Sequence, residues 1–170
     1  MTERARHETI LPFTRYLAGP ADYTTMLFND RKRDTTVAHQ IATMVVFASP
    51  LLTIAANPQT MLDSPAVDVI RSVPSVWDET RVLAGSEIGE LAMYARRSSQ
   101  TWFLGVLCGP GAKTVRVPLS FLGASAYRAT LVRDGADANA ITVETATHRA
   151  GDTITLELRA GGGFIGRFGQ

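Results

Sequence analysis

Cysteine is almost absent: Cys108 is the only one in 170 residues. That excludes an internal disulfide and any paired-cysteine metal knuckle, and it leaves the thiol as apolar core filling. Long apolar runs are missing too. No stretch reaches the ~18 residues a membrane-spanning helix needs, and "MTERARHE" mixes charges of both signs where a secretory leader would be basic and then apolar. As written, the chain reads as cytoplasmic, whereas a longer parent protein could be periplasmic or secreted. Charge of one sign is also lacking, since 17 Lys and Arg against 16 Asp and Glu leave a net charge of +1. Neither nucleic acid nor an acidic or basic surface is implied as a partner. With 45% hydrophobic residues, a chain of this length buries about 70% of the surface its unfolded form exposes, without staples.

Several catalytic signatures are absent as well. There is no HExxH, no GxSxG and no phosphate loop, and His7, His39 and His148 are not spaced as metal ligands. His39, on a helix beginning near Thr35, reads as a polar-face residue, and His148 as the wet side of a strand. The glycines of "RAGGGFIGRF" precede a strand rather than a helix, so they cradle no phosphate.

What is present divides in two. Residues 1–74 carry helical signals: Asp34-Thr35-Thr36 can cap a helix on which Val37, Ile41, Met44, Val45 and Ala48 share one face. The run "MVVFASPLLTIAA" (44–56) is apolar all round, which predicts a buried helix broken or kinked at Pro50. Ser64 and Pro65 start a further helix that Pro74 stops. From Val76 the period falls to two. Eight short segments, at 80–85, 89–97, 101–108, 113–119, 127–135, 140–149, 152–161 and 163–168, are separated by turns such as Arg133-Asp134-Gly135. In "TITLELR", Ile154, Leu156 and Leu158 face one way and Thr155, Glu157 and Arg159 the other. Residues 75–170 therefore read as an antiparallel β-sandwich. The fold class is α+β, mainly β, with two or three helices in the N-terminal segment.

The candidates for chemistry are few. His7, Glu8 and Asp22 are ionisable groups near the loop Gly19-Pro20-Ala21-Asp22, and an imidazole beside carboxylates can serve acid–base chemistry or hold a divalent cation. Local capping explains them more cheaply: Glu8 suits a helix start, and Asp22 can accept backbone N–H groups in the turn. Asp78 and Glu79 are adjacent on an extended segment, so alternation points them to opposite faces, which is unsuited to a glycosidase pair. Trp77, Trp102 and Tyr94 could form a sugar platform, but aromatics on alternating strands more often fill a core.

Three stretches carry a resemblance: "HETILPFTRYLAGPADYT", "AHQIATMVVFASPLLTIAANP" and "VIRSVPSVWDETRVLAGSEIGELAMYARRSSQTWFLGVL". With LPFTR, LAGPxDYT and VPxxWDETRVLxG in that order, the chain resembles the C-terminal portion of glycoside hydrolase family 97, a family of calcium-dependent α-glucosidases and α-galactosidases. The resemblance implies an N-terminal sandwich, a central (β/α)8 barrel and a C-terminal sandwich. Residues 1–74 would be the remnant of the barrel's end, with Asp22-Tyr23-Thr24 near its last strand and residues 35–57 as its last helix. The family's DYTPG becomes Asp22-Tyr23-Thr24-Thr25-Met26 here. Its catalytic carboxylates and calcium-binding glutamates lie before the matched stretch, so none transfers to a position in this sequence.

The expectation is a structural or accessory fragment without glycosidase activity or a cofactor of its own, calcium belonging to the resembled family. Helices that covered a barrel would expose Val45, Val46, Phe47, Leu51, Leu52 and Ile54, which predicts a homo-oligomer joined through this segment. The alternatives are a small stand-alone hydrolase with a new site at His7, Glu8 and Asp22, or at an oligomer interface, and a carbohydrate-binding module.

Overall fold

The computed structural model describes residues 3–170. The N-terminal segment holds α1 (Arg4–Ile10), β1 (Thr24–Thr25), α2 (Val37–Val46), β2 (Thr53–Ile54), α3 (Pro58–Leu62) and α4 (Val67–Ser72). Eight strands follow: β3 (Glu79–Val82), β4 (Leu91–Ser98), β5 (Thr101–Cys108), β6 (Lys113–Pro118), β7 (Tyr127–Asp134), β8 (Ile141–His148), β9 (Thr153–Leu158) and β10 (Gly163–Gly169). Each matches one of the eight period-two segments.

Six of these strands form an antiparallel sheet in the order β3-β4-β5-β10-β7-β8, and β6 pairs with β9 over one of its faces. Alternation along each strand feeds two cores. Leu91, Met93 and Ala95 of β4 pack between the sheets with Leu156 and Phe168. Their neighbours Ala92 and Tyr94 face the helices, with Phe103, Val132 and Ile165. The same helix-side core contains Ile41, Val45 and Phe47, so the helical segment has its apolar cover within the chain. In β9, Ile154, Leu156 and Leu158 are buried while Thr153, Thr155 and Glu157 are exposed, as the alternation predicts.

Two expectations for residues 35–57 need correction. The helix does not run to Pro50: Thr36 caps its start by accepting from the His39 amide, and it ends at Val46, with Phe47 already extended. Residues 53–54 are instead a strand, parallel to β1, with Thr24 opposite Thr53 and Thr25 opposite Ile54. β1, α2 and β2 thus form a β-α-β unit, the connection that parallel strands require. An all-round apolar run is the signature of a buried helix and of a buried parallel strand alike, and periodicity cannot separate them. Nor do the six apolar residues of the expected interface stand free. Val45, Val46 and Phe47 are completely buried by the sheet and by Tyr16 and Tyr23, Leu52 and Ile54 are half-buried, and only Leu51 is exposed.

Close approach of α2 to the sheet depends on glycine. A Cβ on Gly105 would lie 2.9 Å from Val45 Cβ, and one on Gly163 would lie 2.3 Å from His39 Cα and 2.6 Å from His39 N. The second clash is with backbone, so α2 as a whole would have to move. Gly163→Ala is expected to cost about 1–3 kcal/mol, read as a fall in melting temperature. Gly111→Ala, where an added Cβ meets nothing within 4 Å, should leave the melt unchanged.

Candidate functional site

α2 is buried along its entire length, polar residues included. A buried polar group without a partner is costly, so His39, Gln40 and Thr43 need partners, and those of His39 and Gln40 converge on one carboxylate. Glu8 projects from α1 with no exposed surface. Its Oε1 accepts from Arg4 Nε at 2.7 Å and from the Tyr23 hydroxyl. Its Oε2 accepts from Gln40 Nε2 at 3.1 Å and lies 2.9 Å from His39 Nε2. That last contact sits off the line of the ring N–H, so it acts through charge more than through a directed hydrogen bond. His39 Nδ1 faces the Gly162 carbonyl at 3.0 Å.

The surrounding groups complete the network. Gln40 uses its other donor on Thr35 Oγ1 at 2.9 Å and accepts from the Leu27 amide at 3.0 Å. Arg4 also donates to Tyr23 Oη at 3.0 Å and to the Arg31 carbonyl at 3.1 Å, and its amide donates to Asp34. On the far side of His39, Asp134 accepts from Thr36 Oγ1 and from the Gly163 amide. Burial alone would push the Glu8 carboxyl up, yet the hydrogen bonds and charges of His39, Tyr23 and Arg4 outweigh it and hold it below the usual carboxylate range. Burial and the neighbouring Glu8 raise the Tyr23 phenol, while burial raises Asp134. With three donors directed at it, the His39 ring against its second oxygen and no exposed surface, this carboxylate is closed to a substrate proton and to a cation. Chemically, Glu8 is a clamp that ties α1 and the β1 loop to α2.

The sequence candidates therefore part company. His7, the neighbour of Glu8 on a helix, is exposed, as is Asp22 in its loop, and neither bonds to Glu8. His39 is not on a polar face but at the centre of the network, because α2 lies on β5 and β10 and its remaining sides are also covered, with β1 and the Glu8 side chain among its neighbours. Arg4, Tyr23, His39 and Gln40 escaped the sequence reading. The available signal was a His-Gln pair inside a helix apolar on all sides, which calls for buried partners. Trp102 and Tyr94 are buried, and Trp77 is half-buried with its edge against Phe103, so no aromatic platform faces solvent at these positions. Burial pushes the Cys108 thiol up to about 11, as suits core filling.

A cleft of about 530 Å³ opens where β1 ends, lined by Arg4, Tyr23, Thr24, Leu27, Arg31, Arg33 and Ala55. Its charged lining is guanidinium, so it offers donors and positive charge but neither a general base nor a hard-cation cage. Calcium fits these residues poorly: Glu8 is buried beside the Arg4 guanidinium, and among the described residues no three His, Cys, Asp or Glu side chains are grouped to hold a metal ion.

Comparison with known proteins adds to this geometry. A family profile described as "Glycosyl-hydrolase 97 C-terminal, oligomerisation" matches residues 76–169. A probable retaining α-galactosidase of Streptomyces bingchenggensis is 36% identical over 163 residues, covering 94% of this chain and 25% of that protein. The retaining α-galactosidase of Bacteroides thetaiotaomicron is 30% identical, covering 95% and 27%. A family 97 enzyme from Pseudoalteromonas sp. strain K8, solved with panose, superposes with a TM-score of 0.88 at 29% identity over 97% of this chain and 28% of that one. The chain spans about a quarter of the length of these relatives.

Proposed function

Since this chain belongs to glycoside hydrolase family 97 and corresponds to its C-terminal portion, we propose that it is the accessory, oligomerising part of an α-glycosidase and has no glycosidase activity by itself. The observation that carries this reading is the state of Glu8. The one carboxylate buried beside the parallel strands has both oxygens occupied by Arg4, Tyr23, Gln40 and His39, and Asp22 stands alone on the surface. Glycoside hydrolysis needs two carboxyl groups converging on one bond, about 5 to 9.5 Å apart. The β1-α2-β2 unit would supply the last parallel strands of a barrel, whose active-site loops lie at the carboxyl ends of its strands. The catalytic carboxylates would then come from the remaining three-quarters of such an enzyme, with an α-galactoside as the substrate class suggested by its relatives.

The test is an assay of the purified chain on aryl α-galactosides and α-glucosides, with and without calcium. No turnover above buffer is expected. Turnover that disappears in Asp22→Asn or His7→Ala would sink the reading in favour of a stand-alone hydrolase. Static light scattering of the same preparation should return a multiple of the chain mass.

A further inference from the structure

β8 closes one end of the six-stranded order. One edge pairs with β7, and among the described residues nothing pairs with the other. The backbone groups on that outer edge can be identified. The Gly135 amide donates to the Ala140 carbonyl at 2.8 Å, and this pair continues the register that sets Asp134 opposite Ile141 and Arg133 opposite Thr142. Bonded and non-bonded pairs alternate along an antiparallel ladder. Thr142, Glu144, Ala146 and His148 therefore spend their backbone groups on β7. Ile141, Val143, Thr145 and Thr147 turn theirs outward.

The other strand edges are guarded. β3 has four residues, and its Glu79 is tied between Arg81 and Arg97. β6 carries Lys113 and Arg116 and ends in Pro118. β9 gives its Thr155 carbonyl to Arg133 at 3.3 Å. β8, by contrast, has eight residues with no Lys, Arg, Pro or Gly, and its single carboxylate, Glu144, is held by Arg133 at 2.6 Å. Val143 is exposed on its helix-side face. The devices with which proteins blunt a sheet edge, namely shortness, lysine, proline or a bulge, are missing here.

We propose that two copies of this chain associate through β8, antiparallel, about a two-fold axis at Thr145, so that two six-stranded sheets become one. This rests on the oligomerising reading above and names its surface: the family description concerns residues 76–169, which include β8. An isologous contact must be self-complementary, and the outward groups restrict the register. An axis between two residues would set outward groups against inward ones and form no ladder. An axis at Glu144 would place two carboxylates directly opposite, which disfavours pairing. An axis at Thr145 sets threonine against threonine, Val143 against Thr147, Glu144 against Ala146 and Thr142 against His148, which moves the two carboxylates from directly opposite to diagonal, where each Glu144 stays tied to its own Arg133. Thr–Thr pairs directly opposite each other are favourable across strands.

The test uses the full chain. Thr145→Pro removes an N–H that β7 does not use, so the fold should persist by circular dichroism while light scattering falls from dimer to monomer. Thr145→Lys should do the same should proline disturb the strand. Thr145→Cys should form a reducible covalent dimer under mild oxidant, and Val143→Cys should not, Cys108 being buried. A wild-type oligomer that survives both Thr145→Pro and Thr145→Lys overturns this surface and leaves the oligomerising reading standing. A wild-type chain that stays monomeric at high concentration overturns that reading and this inference with it. A Val143→Cys cross-link in place of the Thr145→Cys one overturns the Thr145 axis.

Discussion

Glu8→Ala is expected to lower stability by about 3–5 kcal/mol, the cost of leaving buried charges without their partner. For a chain of this size that is a fall in melting temperature of about 10 °C. The side chain is fully buried, and its loss strands the His39 ring, the Gln40 amide and the Arg4 guanidinium together. Glu8→Gln keeps the volume but turns an amide donor toward donors such as Arg4 and Gln40, so its stability should fall between those of the wild type and Glu8→Ala. The pH dependence separates a charge clamp from a space-filler. Because the folded Glu8 carboxyl lies below its ordinary value of 4.5, its contribution is fully present above that value and is lost as pH falls through the lower folded one. Asp134 works against this: burial raises its carboxyl, so protonation relieves a buried charge as acid is added. The wild type should therefore lose melting temperature from pH 5 to pH 3 more steeply than Glu8→Gln. Parallel profiles for the two proteins would show that Glu8 is not acting through its charge.

Phe47→Ala tests whether the apolar segment is core or interface. Phe47 has no exposed surface. Its ring stacks on Tyr16 with centroids 5.1 Å apart, and Tyr23 meets it edge-on at 4.4 Å. Truncating a buried phenylalanine typically costs about 3–5 kcal/mol, transfer and cavity together. Thermal or urea unfolding should show that loss with the oligomeric mass unchanged. A variant that melts like the wild type but dissociates would return the interface to the helical segment. Leu51→Ser, at the exposed end of the same run, should do little to either measurement, since surface changes usually stay within about 0.5 kcal/mol.

The strands were legible because each presents a contrast between faces or a turn at its ends. β9 alternates buried and exposed residues from Thr153 to Leu158, which is what a period of two reports. The cap of α2 was legible for the same local reason. Thr36 accepts from the His39 amide, whereas the helix expected to start at Ser64 and Pro65 begins at Val67 with Ala66 as its uncapped N-cap, Ser64 accepting from the Ala66 amide in the turn before it. Where contrast vanished, the reading failed. Residues 44–56 are apolar throughout, and the chain makes them half helix and half parallel strand. His39 looked like a surface residue because a helix is ordinarily read as having one wet face, and α2 has none.

The candidate site was half legible. The sequence groups Glu8 with His7 and Asp22, its neighbours in sequence and motif, whereas its partners come from positions 4, 23, 39 and 40. Three of those four lie 15 or more residues from Glu8, and loops bring them there. No local pattern encodes such a meeting.

The sequence by itself determined the class of fold, the eight strands and, through LPFTR, LAGPxDYT and WDETRVL, the kinship with family 97, because propensity, alternation and motif are properties of neighbours along the chain. Tertiary structure alone decided that the apolar helix is covered from within, that Glu8 is a buried clamp and that the outer edge of β8 has no partner among the described residues. Those outcomes depend on the strand order, in which β10 slots between β5 and β7, and on which element lies over which face. Both are set by the packing of distant segments, which a one-dimensional period does not record.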